Sequence, residues 1–116
     1  CFLGVTFKAN TDDMRDSSCL TMMPKLIKNG AKINYYDPTG EKKEVSNLKN
    51  VIYSKNIKSA IKDADLIIIH TEWNDFKSIN FKKEVKKNNF KIFDMRNIYS
   101  PSKMKEQKIN YYGIGF

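Results

Sequence analysis

The stretch Leu66-Ile67-Ile68-Ile69-His70 contains four consecutive apolar residues, three of them isoleucine, and it decides the fold class. A continuous apolar run of this length is typical of a strand buried on both faces, as in the middle of a parallel sheet. It is far shorter than the roughly 20 residues that a membrane-spanning helix requires. We therefore predict a central strand here, with further strands on either side.

Strand-like and helix-like segments alternate along the rest of the chain. We predict further strands at residues 2–7, 31–36, 51–53, 91–95 and 111–114. We predict helices at residues 17–29, 41–48, 57–63, around 81–85 and at 102–108. In the first helix, Ser17 or Ser18 can cap the beginning and Gly30 the end. This order requires right-handed crossovers, so we predict an α/β fold with a doubly wound, mainly parallel sheet, helices on both faces (Rossmann-like) and a single domain.

Length and composition restrict the function classes. A chain of 116 residues fits one domain. Its two cysteines, Cys1 and Cys19, form no CxxC pair, which favours a reduced, cytoplasmic location. The net charge of +8 comes from lysines spread over the whole chain, so we expect neither nucleic acid nor a membrane as partner. Because the chain opens at Cys1 directly on an apolar strand, we expect it to be a piece of a longer polypeptide.

The chain has only two arginines, Arg15 and Arg96, against nineteen lysines. Each follows a predicted strand, and ligands of doubly wound sheets bind beyond the carboxyl ends of the strands. Arginine grips phosphate with a planar fork that lysine lacks. One edge of the sheet can bring together Lys8, both arginines and the start of the first helix. Such a group of cations and amide donors would bind a diphosphate. The alternative that both arginines are ordinary surface charges stays open at this point.

The usual catalytic and phosphate-binding patterns are absent from the sequence. Neither GxGxxG nor GxxxxGK[ST] occurs. Several polar, aromatic and thiol groups are better explained by packing or loop structure than by chemistry: His70, Trp73, Cys1, Cys19, and Asp37, which caps the Asp-Pro turn. Asp12 and Asp13 are better explained by loop structure, with a partner in Arg15 or a neighbouring lysine, than as metal ligands. We therefore predict no catalytic residue and no metal site.

The segments GVTFKANTDDMRDSS (4–18), YDP (36–38), AD (64–65), TEW (71–73) with Phe76, DMRNIY (94–99) and YYGIG (111–115) occur in one order. This order resembles the C-terminal UDP-binding domain of UDP-glucose 6-dehydrogenases over nearly the whole chain, 1–116. Dehydrogenases of UDP-N-acetylmannosamine and GDP-mannose share the first segment. The TEW segment favours the UDP-glucose branch.

The resemblance implies an enzyme that uses two NAD+ to oxidise UDP-glucose to UDP-glucuronate through a thioester on a cysteine. That cysteine belongs to the N-terminal and central parts of the family, and neither Cys1 nor Cys19 matches it, so the resemblance implies that the chain alone is inactive. By position, Phe7 and Lys8 match residues that contact the nucleotide sugar, Arg96 matches the arginine that holds UDP, and Arg15 matches one that reaches NAD. The expected partners are UDP-glucose and the N-terminal dehydrogenase domain of the same polypeptide, in a homo-oligomeric enzyme. The alternative is a freestanding nucleotide-binding or regulatory module.

Overall fold

All strands described by the computed structural model, which covers residues 1–115, run parallel in one sheet. The strands are β1 (Phe2–Leu3), β2 (Ile33–Tyr36), β3 (Val51–Tyr53), β4 (Leu66–Ile69), β5 (Lys91–Asp94) and β6 (Asn110–Gly113). Their spatial order is β3-β2-β1-β4-β5-β6. The chain thus builds one half of the sheet outward from β1 and then returns to build the other half from β4, as in a Rossmann-like fold.

The apolar run that decides the fold class lies in the middle of this sheet, as predicted. Ile68 pairs with Phe2, Ile69 pairs with Leu3, and β5 pairs with β4 on its other side. Ile67 and Ile69 are fully buried. A strand that is covered on both faces must be apolar on both faces, which explains the unbroken run.

Helices cover both faces of the sheet. They are α1 (Cys19–Lys28), α2 (Lys43–Ser46), α3 (Ile57–Ile61), α4 (Phe81–Glu84) and α5 (Pro101–Glu106), with a short 3-10 helix at Asn74–Phe76. Neighbouring residues of a strand point to opposite faces, so Phe2 and Ile68 pack with α1 and α2, whereas Leu3 and Ile69 pack with the other three helices. The fold is therefore doubly wound, as predicted.

The first strand is shorter than predicted. We expected a strand over residues 2–7, but β1 ends at Leu3 because Gly4 takes a φ of +79°, outside the extended region. Likewise, the helix expected at 41–48 is confined to Lys43–Ser46. The apolar character of Val5 reflects burial in a loop and not strand structure.

The ends of α1 follow the prediction in part. Gly30 lies just beyond the helix with a φ of +95°, as expected for a C-terminal cap. Ser18 stands at the N-cap position but makes no capping hydrogen bond, and the Ser17 hydroxyl accepts the Cys19 N–H instead, at 3.3 Å. The predicted packing roles of Cys19 and Trp73 are confirmed, because both are buried in the core. Within residues 1–115, the helices are too short and polar to cross a membrane.

Candidate functional site

The sheet has one topological switch point, between β1 and β4. From β1 the chain crosses through α1 to β2 on one side, and from β4 it crosses through α4 to β5 on the other side. The two connections separate at the carboxyl ends of β1 and β4 and leave a crevice between them, which is where ligands of such sheets bind. The residues to consider here follow β1, β4 and β5.

Gly4 allows the loops after β1 and β4 to approach closely. A Cβ atom at Gly4 would lie 2.5 Å from the Thr71 Cβ and 2.8 Å from its Oγ1. The Thr71 hydroxyl donates to the Thr6 carbonyl oxygen at 2.9 Å. A glycine is required at this position because no side chain fits between the two loops.

The long loop after β1 is closed on itself and tied to β2. The Phe7 N–H donates to the Asp13 carbonyl at 2.9 Å, and the buried Ser17 hydroxyl donates to the Val5 carbonyl. Asp37 holds the predicted turn, accepting the Thr39 N–H at 2.9 Å, and its other carboxylate oxygen accepts the Val5 N–H at 2.9 Å. One carboxylate therefore caps its own turn and also anchors the first loop.

Arg96 lies across the crevice, and its side chain is held by tertiary contacts. Its Nε–H donates to the His70 carbonyl at 2.8 Å and its Nη2 to the Phe7 carbonyl at 3.4 Å. Its own N–H donates to the buried carboxylate of Asp94 at 3.1 Å. None of the ion pairs within residues 1–115 involves Arg96. The guanidinium is thus oriented by two neutral carbonyls and keeps its full positive charge for an anion.

Arg15 is in a different environment. Its Nε and Nη2 donate to the Asp13 carboxylate at 3.1 and 2.9 Å, and its side chain is 88% exposed. This confirms the predicted pairing of Arg15 with a nearby aspartate. Hydrogen bonds from Arg15 lower the pKa of Asp13 to about 2, and the Lys8 charge adds to the effect. The structure thus brings Arg96 into contact with the Phe7 carbonyl, whereas the Arg15 side chain is paired with Asp13 and exposed.

Phe7 and Lys8 lie in the loop after β1, and the Phe7 main-chain carbonyl is the one that accepts from Arg96. Phe7 is 44% exposed although it is a large apolar residue, and Lys8 is exposed. An exposed aromatic ring and exposed cations in this part of the molecule suit a flat, anionic ligand, because a ring can contact the flat part and cations can contact the charged part. No group of three metal-binding side chains occurs within the described range, 1–115.

Sequence reasoning missed two buried residues that organise the crevice. Asp94 is fully buried, and besides Arg96 it accepts the Tyr99 N–H at 3.1 Å and the Tyr111 hydroxyl at 2.7 Å. His70 was predicted to be a packed residue, and it is 1% exposed. Both of its ring nitrogens nevertheless have polar partners, Ser18 Oγ at 2.7 Å and Thr71 Oγ1 at 3.0 Å. The available sequence signal was a polar residue at the carboxyl end of an apolar strand.

The chain is similar to known proteins over nearly its whole length. A model of the UDP binding domain of the UDP-glucose/GDP-mannose dehydrogenase family matches residues 1–101. The UDP-glucose 6-dehydrogenase of Rhizobium meliloti is 34% identical over 116 residues, and that of Rickettsia felis is 35% identical over 116 residues. Each alignment covers 97% of this chain and 26% of the relative, so the chain spans about a quarter of the length of these curated relatives.

Solved structures of related enzymes share the fold. A UDP-D-ManNAc dehydrogenase from Pyrococcus horikoshii has a TM-score of 0.71 and 28% identity, over 98% of this chain and 24% of that one. A UDP-glucose dehydrogenase from Pyrobaculum islandicum has a TM-score of 0.72 and 26% identity, over 99% of this chain and 24% of that one. Since the family model also covers most of the sequence, this chain belongs to the UDP-glucose/GDP-mannose dehydrogenase family and corresponds to its UDP binding domain.

Proposed function

We propose that this chain binds the UDP part of a UDP-sugar, with Arg96 on the diphosphate and with Phe7 and Lys8 in contact with the nucleotide sugar. The observation that carries the proposal is the state of Arg96: its guanidinium is fixed at the switch point by the His70 and Phe7 carbonyls and has no carboxylate partner in residues 1–115. A guanidinium that is held in one orientation and is not neutralised by a carboxylate favours the binding of an oxyanion.

The whole enzyme that we propose is an NAD-dependent, cytoplasmic UDP-glucose 6-dehydrogenase. The names of the bacterial relatives at 34 and 35% identity support UDP-glucose as the substrate. The UDP handle is remote from the alcohol that is oxidised, and its binding energy holds that alcohol against the reactive groups of the other domain. In this arrangement the present chain supplies substrate positioning and no chemistry.

The surroundings of the two cysteine thiols support the proposal that this chain has no catalytic activity by itself. Cys19 is buried in the core, and burial raises the pKa of its thiol to about 12. A thiol in this state is not a nucleophile at neutral pH. Cys1 is half-buried and has no histidine partner for activation. In this proposal the nucleophile comes from another part of the enzyme.

Arg15 is assigned to NAD in the same proposal. Its Nη1 group donates to no atom of residues 1–115, and its side chain is almost fully exposed. The guanidinium can thus keep one edge on Asp13 and offer the other edge to a phosphate on a facing domain. The cofactor would supply the hydride acceptor, and Arg15 would only help to hold it.

Calorimetric titration of the 116-residue chain with UDP, uridine and GDP tests the proposed binding. We expect UDP to bind at least about tenfold more tightly than uridine, because uridine cannot use the Arg96 fork. We also expect UDP to bind more tightly than GDP. Equal affinities for UDP and uridine would contradict the assignment of Arg96 to the diphosphate.

A substrate screen of the full-length enzyme tests the proposed reaction. UDP-glucose, UDP-N-acetylmannosamine and GDP-mannose are each supplied with NAD+, and NADH formation is followed by absorbance. We expect UDP-glucose to have the highest kcat/KM. Preference for UDP-N-acetylmannosamine or GDP-mannose would contradict UDP-glucose as the substrate, although it would still agree with a nucleotide-binding site.

A further inference from the structure

His70 connects the parts of the crevice through both its side chain and its main chain. Its ring contacts Ser18 at the start of α1 and Thr71 after β4. Its N–H donates to the Leu3 carbonyl of β1 at 3.0 Å, and its carbonyl accepts the Arg96 Nε–H at 2.8 Å. One buried residue therefore links β1, β4, the start of α1 and the loop after β5.

The hydrogen-bond pattern fixes the tautomer of His70. The single hydroxyl hydrogen of Thr71 is donated to the Thr6 carbonyl, so Thr71 Oγ1 accepts from the Nδ1–H of His70. In the neutral ring Nε2 then carries the lone pair, and it accepts from the Ser18 hydroxyl. The result is a directed chain of hydrogen bonds from Ser18 through His70 and Thr71 to the Thr6 carbonyl.

The ionisation of His70 agrees with this tautomer. Burial, together with the neighbouring Arg96 charge, lowers the pKa of His70 to about 4. The ring is therefore neutral at pH 7 and does not repel Arg96. A cationic ring at this place would have competed with Arg96 for the same anion.

We infer that His70 is a positioning residue for the UDP site: its doubly bonded ring fixes the carbonyl that orients the Arg96 fork. The inference rests on the proposed UDP binding. Without the ring bonds, an apolar side chain of similar size fills the space, but the peptide after β4 loses its tie to α1 and the Arg96 guanidinium loses its fixed acceptor.

A set of substitutions separates positioning from packing. In His70→Phe the ring volume stays and both hydrogen bonds disappear. In His70→Gln the side-chain oxygen can still accept from Ser18, and in His70→Asn the side-chain amide can still donate to Thr71. Ile61→Val, in α3 just before β4 begins, is the control, because it removes one buried methylene at the opposite end of the strand.

The first measurement is the affinity of the 116-residue chain for UDP in a double-mutant cycle with Arg96→Met. We expect His70→Phe to weaken UDP binding about tenfold when Arg96 is present and less than about twofold in the Arg96→Met background. Partial recovery in His70→Gln or His70→Asn is expected, and Ile61→Val is expected to bind like the wild type. Equal losses in both backgrounds, or no loss in either, would overturn the positioning role.

The second measurement needs no ligand and uses the arginine Nε–H region of a proton–nitrogen NMR spectrum. With two arginines in the chain, this region holds two signals, which Arg15→Lys and Arg96→Lys assign. We expect His70→Phe to shift the Arg96 signal and to speed its exchange with water, while the Arg15 signal stays in place. An unchanged Arg96 signal would refute the inference.

The two measurements also distinguish the inference from the proposed function. If the wild-type chain does not bind UDP, the proposed function fails, and the role of His70 in UDP binding fails with it. If the wild-type chain binds UDP but the cycle is additive, only the role of His70 fails.

Discussion

The loop after β1 and the loop after β5 each carry one of the two arginines, and the two side chains are held in opposite ways. Arg15 donates to Asp13, two residues away, and its side chain is 88% exposed. Arg96 donates to carbonyls of His70 and Phe7, which are 26 and 89 residues away. The first arginine is neutralised by a local neighbour, and the second is oriented by distant ones without being neutralised.

An arginine that is paired with a carboxylate and an arginine that is held by main-chain carbonyls differ in how readily they bind an anion. A carboxylate partner in water holds an arginine loosely and competes with any incoming anion. Backbone carbonyls fix the guanidinium without cancelling its charge, so the fork stays available at little cost of reorganisation. The loop after β5 thus presents a preorganised cation, and the loop after β1 presents a cation that is already paired.

We expect the largest effect from a substitution that disrupts the close contact between the loops after β1 and β4. Gly4→Ala places a Cβ atom 2.5 Å from the Thr71 Cβ in a backbone conformation with φ +79°. We expect it to lower the free energy of unfolding by about 3 kcal/mol or more, measured by urea unfolding with Trp73 fluorescence.

Gly30→Ala is the matched control for Gly4→Ala. Gly30 also has a positive φ, but a Cβ atom there meets nothing within 4 Å. We expect a cost of about 1 kcal/mol, which comes from backbone strain alone. Equal costs at the two glycines would show that the close approach to Thr71 is unimportant.

The next effect is the dependence of stability on pH that comes from His70, the residue whose carbonyl accepts from Arg96. Because the pKa of His70 is lowered from 6.5 to about 4 in the folded chain, the unfolded chain takes up the proton first. The contribution of neutral His70 to stability is fully present above pH 6.5 and is lost as the pH falls to about 4. We expect a loss of up to about 3 kcal/mol over this range, of which His70→Phe shows none.

Unfolding by urea at several pH values, for wild type and His70→Phe, measures this effect. Subtracting the free energy of unfolding of His70→Phe from that of the wild type at each pH cancels the contribution of the carboxylates, because they titrate in both proteins. A difference that does not change between pH 6.5 and 4 would mean that the folded chain does not exclude the charged form of His70.

A smaller effect tests the preorganised arginine directly. Arg96→Lys keeps the charge but replaces the planar guanidinium, which contacts the His70 and Phe7 carbonyls through two separate nitrogens, with a single ammonium nitrogen that cannot bind a phosphate bidentately. We expect UDP affinity to fall about tenfold, which corresponds to about 1.4 kcal/mol, with little change in Tm. Calorimetric titration measures the affinity. Arg15→Lys, the same change at the exposed arginine that is paired with Asp13, is the matched control, and we expect it to leave UDP affinity unchanged.

The smallest effect is expected at the paired arginine. Arg15→Ala removes an exposed ion pair, so we expect no measurable change in Tm or in UDP affinity. The pKa of Asp13 should rise from about 2 toward its ordinary value of 3.8, which carbon NMR can follow during an acid titration. In the wild type, the contribution of this pair to stability is present above about pH 4 and is lost as the pH falls toward 2. A selective loss of UDP affinity would instead place Arg15 in the UDP site.

Local patterns predicted the sheet well and its loops poorly. Apolar runs and helical spacing gave the number and order of the strands, because burial on both faces restricts a strand to apolar residues. They overextended the first strand, because Val5 is as apolar as a strand residue although the backbone turns at Gly4. Placement after predicted strands selected Lys8, Arg15 and Arg96 as candidates, whereas Phe7 was selected by the family resemblance.

The sequence by itself determined the fold class and the family, and it predicted the edge of the sheet where we expect a ligand and an aspartate partner for Arg15 or a neighbouring lysine. Each of these depends on neighbours in the chain or on a repeating pattern. Only the tertiary structure decided which arginine has a carboxylate partner and which is held by main-chain carbonyls, and it also revealed the hydrogen bonds of His70 and Asp94. The physical reason is that the side-chain acceptors of Arg96 are carbonyls of the segments after β4 and β1, which are 26 and 89 residues away in sequence and meet only at the switch point.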